Sequence, residues 1–387
     1  PWRLLGPAIF CASVLAATAL LGFSNLFSIS SEKVEIVLLN ALLLLVIGLN
    51  GYYLYPSQFI PWGTPTPADA FAYEVTTGAI GTNTIAMETQ VNSLVLSNLG
   101  GVSYFNNTSG SLSVSGAGTL GGVFDLTNTG SISTTSAFQS SGDFNLNAGS
   151  TLNLGNTITS TAGDVNLTSV GAMTLGGNVT STAGDVSLIS TGGAILLGTN
   201  QVNAFGNLSL SGSSVSGTGI IQSDSLTLSS SSDVDLDMQV NSLNLSNLGG
   251  VAFINNDSTG LTLSGTANGD LVLSNTSGGI TLNGLSSTTG DINLTSSSGV
   301  NLGGDVTSSA GDVTLTANGG SVALGANQVS AAGEVFLDGA GITGTGTISA
   351  NLLTLSSTLA VNLDGTQVNT INLSGLGAGA NIVNTLA

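Results

Sequence analysis

A short motif, Gly-Asp-x-x-Leu with an apolar third residue, recurs along this 387-residue chain every 21 or 22 residues. The units of a first array begin at Gly142, Gly163, Gly184 and Gly206, and those of a second array at Gly269, Gly290, Gly311 and Gly333. The last unit of each array is a close variant, with Asn207 or Glu334 in place of the aspartate. A unit of this length is too small to bury a core alone, so its copies must stack on one another. The motif therefore predicts a solenoid.

A longer repeat contains the short one. The sequence Gln-Val-Asn begins at Gln90, returns at Gln239 and returns again at Gln367. This predicts two copies, 90–238 and 239–366, and a third copy that starts at 367. The spacing is 149 between Gln90 and Gln239 and 128 between Gln239 and Gln367, a difference of 21, which is one short period. One copy has therefore gained or lost a unit, and a solenoid tolerates this because each unit contacts only its neighbours.

Within each unit the apolar residues alternate with polar ones, as Val165 and Leu167 do. Such alternation is typical of half-buried strands, and the intervening glycines suit tight corners. A unit of about 21 residues divides into three short strands, so we expect a mainly β protein with a parallel β-helix over 90–387, in roughly 14 rungs ~4.8 Å apart. The predicted interior ladders of the first array are Leu146, Leu167, Leu188 and Leu210, and Phe144, Val165, Val186 and Leu208.

The Gly-Asp-Val-x-Leu units and runs such as Thr-Gly-Gly-Ala-Ile at 191–195 resemble the repeat region of filamentous-haemagglutinin-type adhesins. These are large bacterial surface proteins exported by two-partner secretion or related routes. The resemblance covers residues 90–387 and implies a right-handed β-helix at the cell surface. The chain departs from the family at its start, where a hydrophobic stretch replaces the Asn-Pro-Asn-Gly-type segment of the secretion domain.

Two apolar segments, 4–31 and 36–55, carry no charge and are separated by a short polar link that contains Lys33. Each is long enough to cross the ~30 Å hydrocarbon core of a bilayer. Residues 1–55 therefore predict an α-helical hairpin that contacts membrane lipid or other hairpins, with a buried hairpin of a soluble protein as the alternative. The residues assigned to membrane contact or assembly are the apolar run Leu42, Leu43, Leu44 and Leu45 and the interfacial aromatics Trp2, Tyr52, Tyr53, Tyr55 and Trp62.

Prolines punctuate residues 56–70, which we interpret as a stiff linker. Residues 71–89 are expected to form a cap or an irregular first rung, because an uncovered end would expose unpaired strand edges. The third long copy stops after one rung. We therefore expect either that the natural chain continues or that this rung docks onto a partner.

The charge balance excludes several classes of function. The chain has 2 basic residues, 21 acidic residues and no His, and both basic residues precede residue 36. Nucleic-acid binding lacks its electrostatic requirement. Ser-His-Asp catalysis and zinc binding lack His, and Cys11 is the only cysteine. A glycoside hydrolase needs only two carboxylates, so that class of enzyme stays open.

Two sets of acidic residues are candidate sites. Asp233, Asp235 and Asp237 alternate with apolar residues, which places them on one outward face. A solvated edge that resists aggregation is the favoured interpretation, and a contact surface or a pair of catalytic carboxylates is the alternative. The stacked corner acids repel one another, and Ca²⁺ would relieve that repulsion; solvated corner acids without a metal are the favoured interpretation. The calcium candidates are Asp143, Asp164, Asp185, Asp270, Asp291 and Asp312.

Three functions remain. The favoured one is a non-enzymatic structural or adhesive rod, anchored in a bacterial membrane and displayed at the cell surface or in the periplasm, where a glycan or protein receptor would be its partner. In the second, hairpins at 1–55 form the core of a homo-oligomer, filament or membrane complex with β-helices outside. The third is a carbohydrate-active enzyme. No cofactor is expected beyond the calcium just considered.

Overall fold

The computed structural model describes residues 72–76, 84–117 and 119–386. Over this part the chain is a mainly β, parallel β-solenoid of about 15 turns, which confirms the predicted solenoid. The hairpin predicted at 1–55 and the linker at 56–70 lie outside the described residues. Within the described ranges, no helix is long and apolar enough to cross a membrane.

The first strands come before the Gly-Asp arrays: β1 Ala72–Thr76, β2 Ile85–Thr89, β3 Ser93–Ser97, β4 Ser103–Asn107, β5 Ser111–Ala117 and β6 Thr119–Leu120. The rung that precedes the first array contains β7 Phe124–Asn128, β8 Ser131–Thr134 and β9 Phe138–Ser140. The first array contains β10 Phe144–Ala148, β11 Leu152–Leu154, β12 Ile158–Ser160, β13 Val165–Ser169, β14 Met173–Leu175, β15 Val179–Ser181, β16 Val186–Ser190, β17 Ile195–Gly198, β18 Val202–Ala204 and β19 Asn207–Gly212.

The middle of the chain contains β20 Val215–Ser230, β21 Val234–Leu248, β22 Ala252–Asn256 and β23 Gly260–Ala267. The second array and the last rungs contain β24 Leu271–Asn275, β25 Gly279–Ser287, β26 Ile292–Ser296, β27 Val300–Leu302, β28 Val306–Ser308, β29 Val313–Ala317, β30 Val322–Gly325, β31 Val329–Ala331, β32 Glu334–Gly339, β33 Ile342–Ser357, β34 Val361–Ser374 and β35 Ala380–Asn384.

Each turn, or rung, of the first array has three strands on three faces, as the sequence predicts. β10, β11 and β12 pair in parallel with β13, β14 and β15 of the next rung. β1 and β2 already pair in parallel with β3 and β4. Strands in the segment predicted as a cap or irregular first rung therefore belong to the solenoid.

The predicted interior ladders are confirmed. Val165 is in register with Phe144 and Val186, and Leu167 with Leu146 and Leu188. These side chains are at most 1% exposed, so each rung removes its alternate residues completely from water. Burial of such a side chain contributes about 1.5–3 kcal/mol, and the solenoid multiplies that term by repetition rather than by building one large core.

Buried serines close one type of corner. Ser160, Ser181 and Ser308 are each no more than 2% exposed. Ser160 Oγ donates a hydrogen bond to Gly142 O at 2.8 Å and accepts one from the N–H of Gly163 at 3.0 Å. The hydroxyl thus satisfies corner backbone groups that have no strand partner, which explains why a small polar residue occupies an inward position.

The long repeat also has an asparagine at a fixed spacing after each Gln-Val-Asn glutamine, and this residue is buried in the first two copies and exposed in the third. Asn107, Asn256 and Asn384 occupy this position. Asn256 Oδ1 accepts from Val240 N–H at 3.0 Å, its Nδ2 donates to Val240 O at 3.2 Å, and the same amide donates to Asn275 Oδ1 at 2.9 Å. Asn107 and Asn384 bind Val91 and Val368 in the same way.

A turn in the left-handed backbone region also recurs in all three copies. Asn98 has φ of 46°, Asn247 has φ of 62°, and Gly375 has φ of 64°. The spacing is 149 between Asn98 and Asn247 and 128 between Asn247 and Gly375, as in the long repeat. Asn and Gly are the residues that tolerate this conformation best, so the third copy begins with the same fold as the other two.

The rungs between the two arrays are shorter than predicted. Leu208 is in register with Leu226, a spacing of 18, and Leu226 is in register with Leu243, a spacing of 17. Corners shrink here, and separate strands merge: β20 alone pairs with β17, β18 and β19. The short period therefore describes the arrays but not the rungs between them.

This change in rung length rotates the second array by one face. The Gly-Asp strands of the first array lie on a ladder that runs through Phe144, Val165, Val186, Leu208, Leu226, Leu243 and Leu263. The Gly-Asp strands of the second array lie on the neighbouring ladder, which runs through Ile195, Val215, Val234, Ala252, Leu271, Ile292 and Val313. Six turns and one further face separate Phe144 from Leu271, so equivalent surfaces of the two copies point in different directions.

Candidate binding surfaces

The aspartates of both arrays stand at corners, one residue before a strand, and each binds the backbone of the next rung. Asp143 Oδ1 accepts a hydrogen bond from Asp164 N–H at 2.9 Å, and Asp164 Oδ1 accepts one from Asp185 N–H at 2.8 Å. The second array repeats this with Asp270 to Asp291 at 3.0 Å, Asp291 to Asp312 at 2.8 Å and Asp312 to Glu334 at 2.6 Å. The carboxylates act as caps for strand entry, much as N-cap residues act for helices.

The glycine of the motif makes room for this carboxylate. A Cβ at Gly333 would overlap Asp312 Oδ1, whereas the nearest atom outside that side chain, Gly311 O, is 3.8 Å away. At Gly311 a Cβ would overlap Asp291 Oδ1 and would also lie 2.7 Å from the backbone of Gly290. Gly and Asp thus act as a pair: the carboxylate of one rung lies over the glycine of the next rung, in the space that a Cβ would fill.

The calcium candidates are therefore used in rung-to-rung hydrogen bonds. Five of the six, Asp143, Asp164, Asp270, Asp291 and Asp312, are partly buried, and Asp185 is exposed. Among the residues that the structure describes, no three His, Cys, Asp or Glu side chains group closely enough to hold a metal ion. Calcium binding stays the less favoured alternative, and a calcium titration tests it.

In the predicted contact face at Asp233, Asp235 and Asp237, the first and last aspartates bind neighbouring rungs through hydrogen bonds. Asp233 Oδ1 accepts from Val251 N–H at 3.0 Å, as the array aspartates do. Asp237 Oδ1 accepts from Asn255 Nδ2 at 3.0 Å. Asp235 is exposed on β21, in register with Phe253 one rung later.

Exposed aromatic rings are the feature that the sequence interpretation missed. In the described part, the three most exposed rings are Tyr104, Phe253 and Phe205, at 44%, 54% and 74%. The spacing between Tyr104 and Phe253 is 149, that of the long repeat, so the two rings occupy equivalent positions. An alignment of the two Gln-Val-Asn copies would have been enough to pair them.

Carboxylates and amides surround both equivalent rings. The Tyr104 patch is a shallow depression whose described lining includes Ala86, Glu88, Asn106, Asp125 and Thr127. The Phe253 patch is formed by the corresponding positions Asp235, Asp237, Asn255, Val272 and Ser274. Phe205 has no such counterpart, because the equivalent position in the second array is Ala332.

Among the residues that the structure describes, two carboxyl groups have clearly shifted pKa values. Burial raises the pKa of Asp125 above its ordinary value, because partial removal from water disfavours the charged form. Hydrogen bonds from the Ser277 and Thr276 hydroxyls lower the pKa of Asp257, since they stabilise the charged form. Only Asp125 of these two belongs to an aromatic patch.

The membrane and assembly residues assigned by sequence, from Trp2 to Trp62, lie outside the described residues. Their contacts therefore stay a prediction. No protein-family model, curated protein or solved structure matches the chain. Function is therefore inferred from the geometry of the solenoid and from the sequence pattern.

Proposed function

We propose that this chain is a non-enzymatic structural or adhesive rod, held on the outer side of a bacterial membrane by its apolar N-terminal segment. The observation that carries the proposal is the uninterrupted stacking of rungs from β7 to β34, with strand pairing at every step. Such a solenoid places a long surface at a distance from its point of attachment. At ~4.8 Å per rung, about 15 turns span roughly 70 Å.

The residues that face outward support this role. Along β13, Asn166 and Thr168 point away from the buried Val165 and Leu167, and the neighbouring rungs place Asn145, Asn147 and Ser187 in register with them. These side chains are neutral and polar, and none of them combines a nucleophile with a basic side chain. A right-handed winding of the rungs is part of the proposal and rests on the resemblance to filamentous-haemagglutinin-type repeats.

The apolar segments 4–31 and 36–55 support attachment to a membrane, because each has the length of a spanning helix. The net charge of −19 supports display in water, since a strongly charged surface keeps such rods apart. Together they support an anchored rod that is displayed in water.

Protease treatment of intact cells tests display. Proteinase K should remove the solenoid from intact cells while a cytoplasmic marker survives. Trypsin is a matched negative control, because no Lys or Arg follows Lys33. Full protection from proteinase K in intact cells, with digestion after lysis, would contradict surface display.

Membrane fractionation tests the anchor. The full chain should require detergent for release, whereas a variant lacking residues 1–55 should be released without it. Release of the full chain by shearing alone, as detergent-free fibres in electron micrographs, would instead support the alternative in which the hairpins form a filament core.

A further inference from the structure

Tyr104 and Phe253 are kept exposed in two copies of the long repeat. Each is flanked by strand positions at which the alternate residues, Ser103 and Phe105 or Ala252 and Ile254, are buried. Tyr104 and Phe253 keep 44% and 54% of their surface in water, so each ring gains less from folding than a buried ring would. Its presence at the same site in both copies therefore points to an interaction outside the solenoid.

The rings are surrounded by negative charge without a positive partner. Asp235 lies one rung before Phe253 in the same outward column, and Asp237 lies two residues further along that rung. Asp125 lies one rung after Tyr104, and Glu88 lies on the rung before it. Because the chain has no Lys or Arg after Lys33, nothing in residues 84–386 neutralises these carboxylates.

We propose that the Tyr104 patch and the Phe253 patch are two equivalent docking sites for an arginine or lysine side chain of a partner protein. A cation over an aromatic face is attracted by the ring, and neighbouring carboxylates strengthen that attraction. Arginine suits the sites better than lysine, because its planar guanidinium stacks on a ring while donating to carboxylates.

The burial of Asp125 fits this assignment. Its carboxylate is partly removed from water, which raises its pKa, and a bound cation would compensate that loss of hydration. The two patches lie on different faces, because Tyr104 belongs to the ladder of Phe124 and Phe253 to that of Ile195. A rod with both sites would bind basic segments on two of its faces. This proposal goes beyond anchoring and display, and it does not depend on where the rod is located.

Fluorine NMR of the full chain tests the proposal, because it resolves single sites at weak affinity. The chain carries 4-fluorophenylalanine or 3-fluorotyrosine, and Phe253→Ala, Tyr104→Ala and Phe205→Ala assign the three resonances. The probe is an uncharged-end peptide, acetyl-Gly-Arg-Gly-amide, and its matched control replaces arginine with neutral citrulline.

The expected result is a saturable shift of the Phe253 and Tyr104 resonances with the arginine peptide only, and no shift of Phe205. Asp235→Asn should weaken binding at Phe253 by about threefold, while Asp364→Asn, which removes another exposed acid on a different rung, should leave it unchanged. Equal shifts with citrulline, or a parallel shift of Phe205, would overturn the proposal. So would a shift produced by maltoheptaose and not by arginine, which would assign the rings to a glycan.

Discussion

The packing of each Asp carboxylate over the glycine of the next rung predicts how Gly333→Ala changes stability. Replacing Gly333 with Ala places a Cβ against Asp312 Oδ1 and against no other atom outside that side chain within 3.8 Å. The carboxylate must then swing away and lose its hydrogen bond to Glu334 N–H, now 2.6 Å long. We therefore expect Gly333→Ala to destabilise its rung, although alanine itself suits the backbone there.

The magnitude follows from two opposing terms. Loss of the carboxylate–amide bond costs about 1–2 kcal/mol, as for a lost capping residue. Replacing Gly by Ala at a compatible conformation stabilises by about 0.4–1 kcal/mol, because the unfolded chain loses freedom. Gly333→Ala alone should therefore cost about 1 kcal/mol. In an Asp312→Ala background the bond is already absent, so the same substitution should stabilise by about 0.4–1 kcal/mol.

Native-state hydrogen exchange by mass spectrometry measures this locally, which matters because a solenoid need not unfold as one unit. A change of about 1.4 kcal/mol alters protection by about tenfold, so peptides that cover 330–340 should report both signs. Gly311→Ala is the matched control: its Cβ also meets the Gly290 backbone at 2.7 Å, so Asp291→Ala should not rescue it. An equal cost of Gly333→Ala in both backgrounds would refute the idea that the carboxylate imposes the glycine.

Three further predictions concern the core, the buried amide and pH. Leu294→Ala should cost about 3–5 kcal/mol because the side chain is fully buried, whereas Thr295→Ala should cost under about 0.5 kcal/mol; native-state hydrogen exchange of peptides that cover 290–300 decides. Asn256→Leu should cost about 3 kcal/mol or more, because it leaves both backbone groups of Val240 unpaired; unchanged proteolytic resistance near Val240 would contradict this. The pKa of Asp125 is raised on folding, so its ionised form costs stability above its ordinary pKa and not below it. Asp125→Asn should thus raise the melting temperature at pH 7 and leave it nearly unchanged at pH 3, and the reverse pattern would show the sign to be wrong.

Much of the fold could be predicted because each unit is locally consistent. The alternation of Val165 and Leu167 with polar residues predicts which side chains are buried, and the register of β10, β13 and β16 follows from the short period. The role of the aspartates could not be predicted in the same way. A solvated acid and an acid that caps the next rung have the same sequence pattern, and only the position of Asp164 N–H near Asp143 Oδ1 distinguishes them.

The candidate surfaces show a similar division. Sequence pointed to Asp233, Asp235 and Asp237 through alternation, yet Asp233 and Asp237 are occupied by hydrogen bonds to Val251 and Asn255. The exposure of Phe253 depends on which side of β22 faces the core, and that depends on packing against the rungs on either side.

The sequence by itself determined the repeating unit, the inward and outward sides of the array strands, and the charge that excludes several chemistries. These are local properties, set by the period-two geometry of a strand and by residue type. Only the tertiary structure decided how the two copies face. The shortened rungs between Leu208 and Leu243 shift the second array onto the neighbouring ladder. That rotation depends on the summed lengths of the corners over six turns, so it cannot be predicted from the sequence of any single unit.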